Sequence, residues 1–361
     1  MKIAYIAPYN TVGTLNLWEK AHNDRGNECI FITLCQTNEQ YNPGICLNLP
    51  LIKPHFLYIQ GRHLYYRLVR SKEGNYRHHT GFPPTWYPNS IIEKYYFDLR
   101  DWLWSFKVEP MIEKLKLLDY DIFHFEWGLE FYRDGRFVEK LYNLNKPIIC
   151  TYHGTDLRSR GVIPKIDKMS TLNLTSELDL IEKHPNLQYL FLPFETSKYV
   201  PLYEIKNKIR ICHSPRNRLY KGSDKIISIC QILEKTHDIE FILIENKTHE
   251  ETLKIKQSCD ILIDQIDNMG GWGYGMNSIE GLSMGLCCMT ELVPEYESFI
   301  PDHPFINVNR KTLHNTLISL IENPQKIIEH KHKSREWVIK YHDLNNVADN
   351  LYNYYESIGA L

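Results

Sequence analysis

DILIDQIDNMGGWGYGMNSIEGLSMGLCCM, residues 260–289, is the stretch on which the reading of the chain turns. An apolar run, Ile261 to Ile263, lies between Asp260 and Asp264, as in a short buried strand. A loop with four glycines follows: Gly270, Gly271, Gly273 and Gly275. Asn277-Ser278-Ile279-Glu280 then offers capping residues for a helix start, Gly285 stops the helix, and Leu286 to Met289 form another strand. Strand, glycine loop and helix N-terminus together bring bare backbone N–H groups and a positive dipole end against a phosphate. Glu280 falls about one turn inside that helix, where a carboxylate can accept hydrogen bonds from sugar hydroxyls.

The same rhythm extends in both directions. Upstream, Ile209 to His213 is a strand, followed by the loop SPRNRLYKG and a helix from Ser223 to about Lys235. Glu240 to Ile244 is a strand and Glu250 to Ser258 a helix. Downstream, Phe305 to Val308 is the last strand, before helices over Thr312 to Ile321, Gln325 to Tyr341 and Leu344 to Ile358. The N-terminal half opens with a βαβ unit: strand Lys2 to Ala7, a loop ending at Gly13, helix Thr14 to Arg25, strand Glu28 to Thr33. It lacks Gly-x-Gly-x-x-Gly, so the dinucleotide fingerprint is absent. Residues from about Pro50 to Glu109 are expected to be irregular, with a helix over Leu103 to Leu117 as the alternation resumes. Strands follow over Asp121 to Phe125, Pro147 to Tyr152 and Leu187 to Leu192, with a hinge in Pro193 to Lys208. Two successive α/β halves predict two Rossmann-like domains facing across a cleft, residues 1–200 and 201–342, with 343–361 as a terminal helix.

At 361 residues, two domains are the prior for such a chain. A formal charge of −2 gives no electrostatic case for a nucleic-acid partner. Nine cysteines, an odd number without a Cys-x-x-Cys pair, argue against a disulfide framework and against a zinc site, and point to reduced thiols in a cytoplasmic protein. No apolar run approaches the roughly 20 residues that span a bilayer. A membrane surface is a different matter. Arg62, His63, Tyr65, Tyr66, Arg67, Arg70 and Lys72 cluster within an aromatic-basic region, residues 56–90, which fits either an exposed insertion or a platform for an acceptor or anionic lipid head groups.

Three further groups carry candidate chemistry. Arg216, Arg218 and Lys221 directly precede a helix beginning Gly222-Ser223, where two guanidinium forks and an ammonium would neutralise two phosphates. His153, just past a strand and near Asp156, would hydrogen-bond a sugar hydroxyl or the reacting centre. His124 and Glu126 also fall at a strand end and are weaker candidates. Asp119-Tyr120-Asp121 spells a DxD metal spacing but precedes its strand, so it is expected to be a solvated turn. Gly281-Leu282-Ser283-Met284-Gly285 matches a nucleophile-elbow pattern, yet Ser283 falls near a helix end, so the match is one of chance.

With HGTDLR at 153–158, HSPRNRLYKG at 213–222 and the 260–285 stretch, the chain resembles the retaining, nucleotide-sugar-dependent glycosyltransferases of the GT-B fold, in the family called glycosyltransferase group 1. The resemblance implies that Gly13 and Thr14 approach the donor phosphate, that His153 contacts the transferred sugar with Asp156 beside it, and that Arg218, Arg216 and Lys221 grip the diphosphate. It implies that Tyr274, Gly275, Met276 and Asn277 meet the sugar and phosphate through their amides, and that Glu280 binds the ribose hydroxyls. It also implies that the last helix crosses back to the first domain, and that the enzyme needs no metal and no cofactor beyond the nucleotide sugar. Trp272 stands where the family has its first glutamate, and Gln265 with Gly271-Trp272 resembles a variant form of that loop. The expected acceptor is a glycan, a lipid-linked molecule or a protein, with the enzyme cytoplasmic or at the inner face of the membrane. Two other readings stay open: a nucleotide-sugar epimerase or hydrolase of the same fold, and a catalytically silent sugar-nucleotide-binding subunit.

Overall fold

A computed structural model describes residues 1–36, 41–52, 83–88, 90–154, 156–267 and 273–361. The chain divides into two compact units, Met1–Leu190 with Ala348–Leu361, and Phe191–Val347.

The first unit is built on a seven-stranded parallel sheet: β1 (Lys2–Ala7), β2 (Glu28–Thr33), β3 (Ile45–Cys46), β4 (Ile122–Glu126), β5 (Ile148–Tyr152), β6 (Leu172–Thr175) and β7 (Leu187–Tyr189). Their order is β3-β2-β1-β4-β5-β6-β7, so the direction of winding reverses between β1 and β4. All pairings are parallel, and Tyr5 on β1 lies opposite Phe31 on one side and His124 on the other. Strands of such a sheet are covered on both faces, which is why they read as nearly unbroken apolar runs. Helices α1 (Thr14–Asp24), α2 (Ile91–Lys114), α3 (Arg136–Asn143), α4 (Pro164–Met169) and α5 (Leu178–Ile181) make the connections.

Two expectations need correction here. Residues 53–82 and 89 lie outside the described residues, but Ile91 to Leu103 is not irregular: α2 starts at Ile91, where Ser90 Oγ accepts the Glu93 N–H at 3.1 Å, and it runs through Pro110. The sheet also holds β6, whose Leu172-Asn173-Leu174-Thr175 alternates apolar and polar residues although all four are buried. Buried Asn173 accepts from Ser170 Oγ at 2.7 Å, which satisfies its side chain within the sheet.

The second unit has a five-stranded parallel sheet in the order β12-β11-β10-β8-β9. Its strands are β8 (Ile209–His213), β9 (Ile239–Leu243), β10 (Ile261–Ile263), β11 (Cys287–Thr290) and β12 (Ile306–Asn307). Its helices are α6 (Arg218–Lys221), α7 (Ser223–Thr236), α8 (His249–Gln257), α9 (Met276–Ser283), α10 (Pro294–Phe299), α11 (Leu313–Ile321) and α12 (Pro324–His342). Winding reverses between β8 and β10, and ligands of open α/β sheets bind beyond the strand ends at such a point. Gly281 lets α9 lie close on the sheet, because a Cβ there would stand 2.5 Å from Leu262 Cδ2.

A last helix, α13 (Leu344–Ser357), leaves the second unit and finishes in the first. Tyr355 is fully buried there, its hydroxyl 2.6 Å from His124 Nε2, and Tyr5 stacks on the same imidazole at 4.2 Å. The Tyr352 hydroxyl lies 2.9 Å from His22 Nδ1, and burial pushes that imidazole down to about 3. Both histidines are therefore neutral structural residues of the first core. Among the described residues no helix is long and apolar enough to cross a membrane.

Candidate functional site

Beyond the carboxyl ends of β8 and β10, one polar network joins four short segments. β8 ends at His213, a buried ring that lies 2.8 Å from Ile263 O and 2.7 Å from Ser223 Oγ. Asn217 then caps the single turn of α6 by accepting the Leu219 N–H at 2.9 Å. That turn presents Lys221, whose Nζ donates to Asp264 Oδ1 at 2.6 Å and to Gln265 Oε1 at 3.1 Å. Gly222 turns the chain straight into α7 with φ +63°, and a Cβ there would meet Ile266 O at 2.7 Å. Only glycine fits both the left-handed conformation and the close approach.

Asp264 sits at the centre of this network. It is fully buried and also accepts from Asn277 Nδ2 and Ser278 Oγ, each at 2.7 Å. Burial opposes its ionisation, but Lys221 and these donors hold the carboxyl below the usual range. Gln265 donates to Gly273 O at 2.6 Å and so ties the glycine loop to β10.

Asn277 passes the network on. Its Oδ1 accepts from Lys256 Nζ, a buried ammonium that also donates to Glu280 Oε2. Glu280 Oε1 lies 2.8 Å from His249 Nε2. Burial raises the Glu280 carboxyl, and Lys256 and His249 more than offset this, so it is held below its ordinary value. Lys221, Gln265, Asn277 and Glu280 are thus brought together with Gly275 and Met276 at the start of α9. Asp264, Lys256 and His249 complete the set. Of these, Asp264 was visible in the sequence only as a strand boundary, and Lys256 looked like one more surface lysine of α8.

The remaining candidates of this unit lie differently. Arg218 is exposed and bound to Glu245, with Nε at 2.7 Å and Nη2 at 2.6 Å. Arg216 is also exposed. The Tyr274 side chain turns into packing: its hydroxyl lies 2.8 Å from His342 Nε2, and its ring meets Tyr296, Phe305 and Trp337. Trp272, Gly270 and Gly271 lie outside the described residues, as do Arg62, His63, Tyr65, Tyr66, Arg67, Arg70 and Lys72. Ser283 is fully buried in the last turn of α9, away from any strand-to-helix turn.

In the first unit, His153 follows β5 and its Nε2 lies 2.7 Å from Glu126 Oε2 at the end of β4. Burial disfavours the imidazolium, yet Glu126, with Asp156 and Glu177 further off, outweighs it and raises the ring to about 9. His153 is therefore charged at neutral pH, with Nδ1 left for a ligand. Asp156 is buried, its carboxylate accepting the His153 N–H at 2.9 Å and the Leu157 N–H at 2.7 Å. It holds the loop that carries His153. Gly13 caps α1 with φ +76°, and Thr14 Oγ1 donates to Thr11 O at 3.0 Å. At the opposite, amino edge of the sheet, Asp121 accepts the Lys2 N–H at 2.7 Å, while Asp119 ends a short helical turn.

No protein-family model matches the chain. No curated protein matches it in sequence. Solved structures do match. The chain is similar to HepE of Anabaena in complex with UDP, at a TM-score of 0.57 and 10% identity over 99% of this chain and 100% of that one. The same protein in complex with UDP and glucose gives 0.58 and 11% over the same shares. Sucrose-phosphate synthase from Thermosynechococcus elongatus gives 0.60 and 10% over 100% of both chains. The chain has the fold of GT-B glycosyltransferases, two Rossmann-like units with a final helix belonging to the first.

Proposed function

We propose that this protein is a glycosyltransferase that takes a sugar from a nucleoside-diphosphate donor and passes it to a glycan, lipid-linked or protein acceptor. The observation that carries this reading is the Lys221–Asp264–Asn277–Lys256–Glu280 network at the reversal point of the second sheet. An ammonium has three N–H groups, and Lys221 uses two on Asp264 and Gln265, leaving one for a phosphate oxygen. Glu280 accepts one hydrogen bond on each oxygen from Lys256 and His249, so a lone-pair site on each remains for ribose hydroxyls. HepE, whose fold is similar, has been solved in complex with UDP, which supports a nucleotide donor.

On this reading, charge developing on the leaving diphosphate is stabilised by Arg216, Arg218, Lys221 and the N-termini of α7 and α9, groups set in place before reaction. His153, charged through Glu126, supplies a hydrogen-bond donor to the transferred sugar. The reaction keeps the anomeric configuration and uses no metal. The first unit is the acceptor side, and residues 56–90 are its contact with acceptor or membrane.

A thermal-shift series with UDP, GDP, ADP and their sugars tests the proposal, since a ligand of the folded form raises its apparent stability. One nucleoside diphosphate is expected to give a saturable rise that Lys221→Ala weakens by on the order of 1.5–3 kcal/mol, the size of a lost charge-assisted contact. No rise with any nucleotide, or an unchanged affinity in Lys221→Ala and Arg218→Ala alike, would remove the diphosphate assignment.

A further inference from the structure

Beyond the carboxyl ends of β4 and β5, the first unit gathers cationic side chains that the proposed donor chemistry leaves unused. Arg100 and Arg133 lie on the same ring: their guanidinium carbons stand 4.7 and 4.9 Å from the centre of Phe97. Arg133 is also 4.8 Å from the centre of Trp86, and Arg100 is 4.0 Å from that of Trp104. Arg160 is the third member, close enough that its charge and that of Arg100 bear on Arg133. Its Nη2 donates to Trp127 O, the carbonyl directly after Glu126, and its Nε donates to Gly161 O at 2.9 Å. The cluster therefore adjoins the Glu126–His153 pair. Trp127 itself is held at φ +64°, a strained conformation for such a residue.

Three carboxylates bear on these cations: Asp101 and Glu93 on Arg133, and Asp156 on Arg160. Both oxygens of Asp101 are occupied. Oδ1 takes Arg100 Nε at 3.0 Å and Nη2 at 2.6 Å, and Oδ2 takes the Arg133 backbone N–H at 2.6 Å. The Arg133 side chain makes no hydrogen bond to it, although the Asp101 charge favours the guanidinium. Its Nε and Nη1 are buried without a hydrogen-bond partner. Buried polar groups are nearly always hydrogen-bonded, so two unpaired N–H positions on one guanidinium mark a place where something else binds. Stacked guanidinium groups with open N–H positions suit a planar or tetrahedral oxyanion.

We propose that Arg100, Arg133 and Arg160 form a binding site for an oxyanion, phosphate or carboxylate, carried by the acceptor. Its assignment to the acceptor rests on reading the first unit as the acceptor side. The site selects acceptors that bear a negative group near the hydroxyl to be modified. Neutral sugars leave Arg133 unpaired.

The test is a thermal-shift titration of the full chain with inorganic phosphate and, separately, with glucuronate, ionic strength being held constant with chloride. At least one anion is expected to give a saturable rise. Its midpoint should move at least tenfold in Arg133→Gln and stay in place in Lys221→Ala, while UDP binding by Arg133→Gln is unchanged. Phosphate alone points to a phosphorylated acceptor, and glucuronate alone to an acidic sugar. The absence of a saturable rise with either anion, or an unchanged midpoint in Arg133→Gln, overturns the proposal. A rise lost in Lys221→Ala but kept in Arg133→Gln also overturns it, and leaves the nucleotide reading intact. Should Arg133→Gln fail to fold, Arg133→Lys keeps one charge but loses the planar donors, and an unchanged midpoint in that variant is equally fatal.

Discussion

Lys256 and Glu280 form an ion pair closed off from solvent, with side chains 1% and 7% exposed. The carboxylate assigned to ribose is thus neutralised from within the protein before any ligand arrives. Its second neighbour, His249, is much more open, at 42% exposure. The pair fixes which way Glu280 points and keeps it ionised.

Removing one partner of a buried pair leaves an uncompensated charge. Lys256→Met should therefore cost about 3–5 kcal/mol of stability in urea denaturation. The double variant Lys256→Met/Glu280→Leu should recover much of that loss while binding nucleotide poorly. Equal stability of the single variant and the natural protein would show that the pair contributes little.

Arg218 cannot serve Glu245 and a diphosphate with the same N–H groups. The pair is exposed and screened by solvent, so Arg218→Ala should barely change the melting temperature. Nucleoside-diphosphate affinity should fall in Arg218→Ala and rise in Glu245→Gln, because the competing carboxylate has gone. Calorimetric titration of both variants decides the matter. A weaker complex with Glu245→Gln would mean that Glu245 positions Arg218 and does not compete for it.

His153 should titrate near 9 by NMR, against an ordinary value of 6.5. The shift is upward, so its contribution to stability is fully present below about 6.5 and is lost as pH rises through about 9. In Glu126→Gln the same ring should titrate well below about 9, because burial is then opposed only by Asp156 and Glu177. The loss of stability between pH 6.5 and 9 should shrink accordingly. Identical titration curves for the two proteins would rule out the pairing as the cause.

Transfer is expected to continue in excess EDTA if, as proposed, Arg216, Arg218 and Lys221 neutralise the leaving diphosphate in place of a metal. Turnover measured with and without chelator checks this. Strict dependence on Mn²⁺ or Mg²⁺ would count against the proposed mechanism.

The alternation of buried strands and amphipathic helices was legible because each parallel strand is covered on both faces and reads as an apolar run. Short polar strands such as β6 were not, and neither was the start of α2 inside an aromatic-basic stretch. The limits of the site reading have a similar origin. Lys221, Asn277 and Glu280 follow from loop and helix-start spacing. Lys256 is 24 residues from Glu280, and nothing local marks it as buried. Glu126 and His153 meet only because β4 and β5 are neighbours in register, Glu126 standing opposite Thr151. Tyr274 was placed by its position in the loop, but its ring packs on Tyr296 of α10, Trp337 of α12 and Phe305 just before β12, where apolar burial decides its direction.

Residues 348–361 belong with Met1–Leu190, and Tyr355 closes over His124 and Tyr5. During synthesis β1 leaves the ribosome long before α13, so the interior of the first unit stays unsealed until α13 has been made. A variant lacking Leu344–Ser357 would have an open first core, with His22 and His124 wetted and free to take up protons.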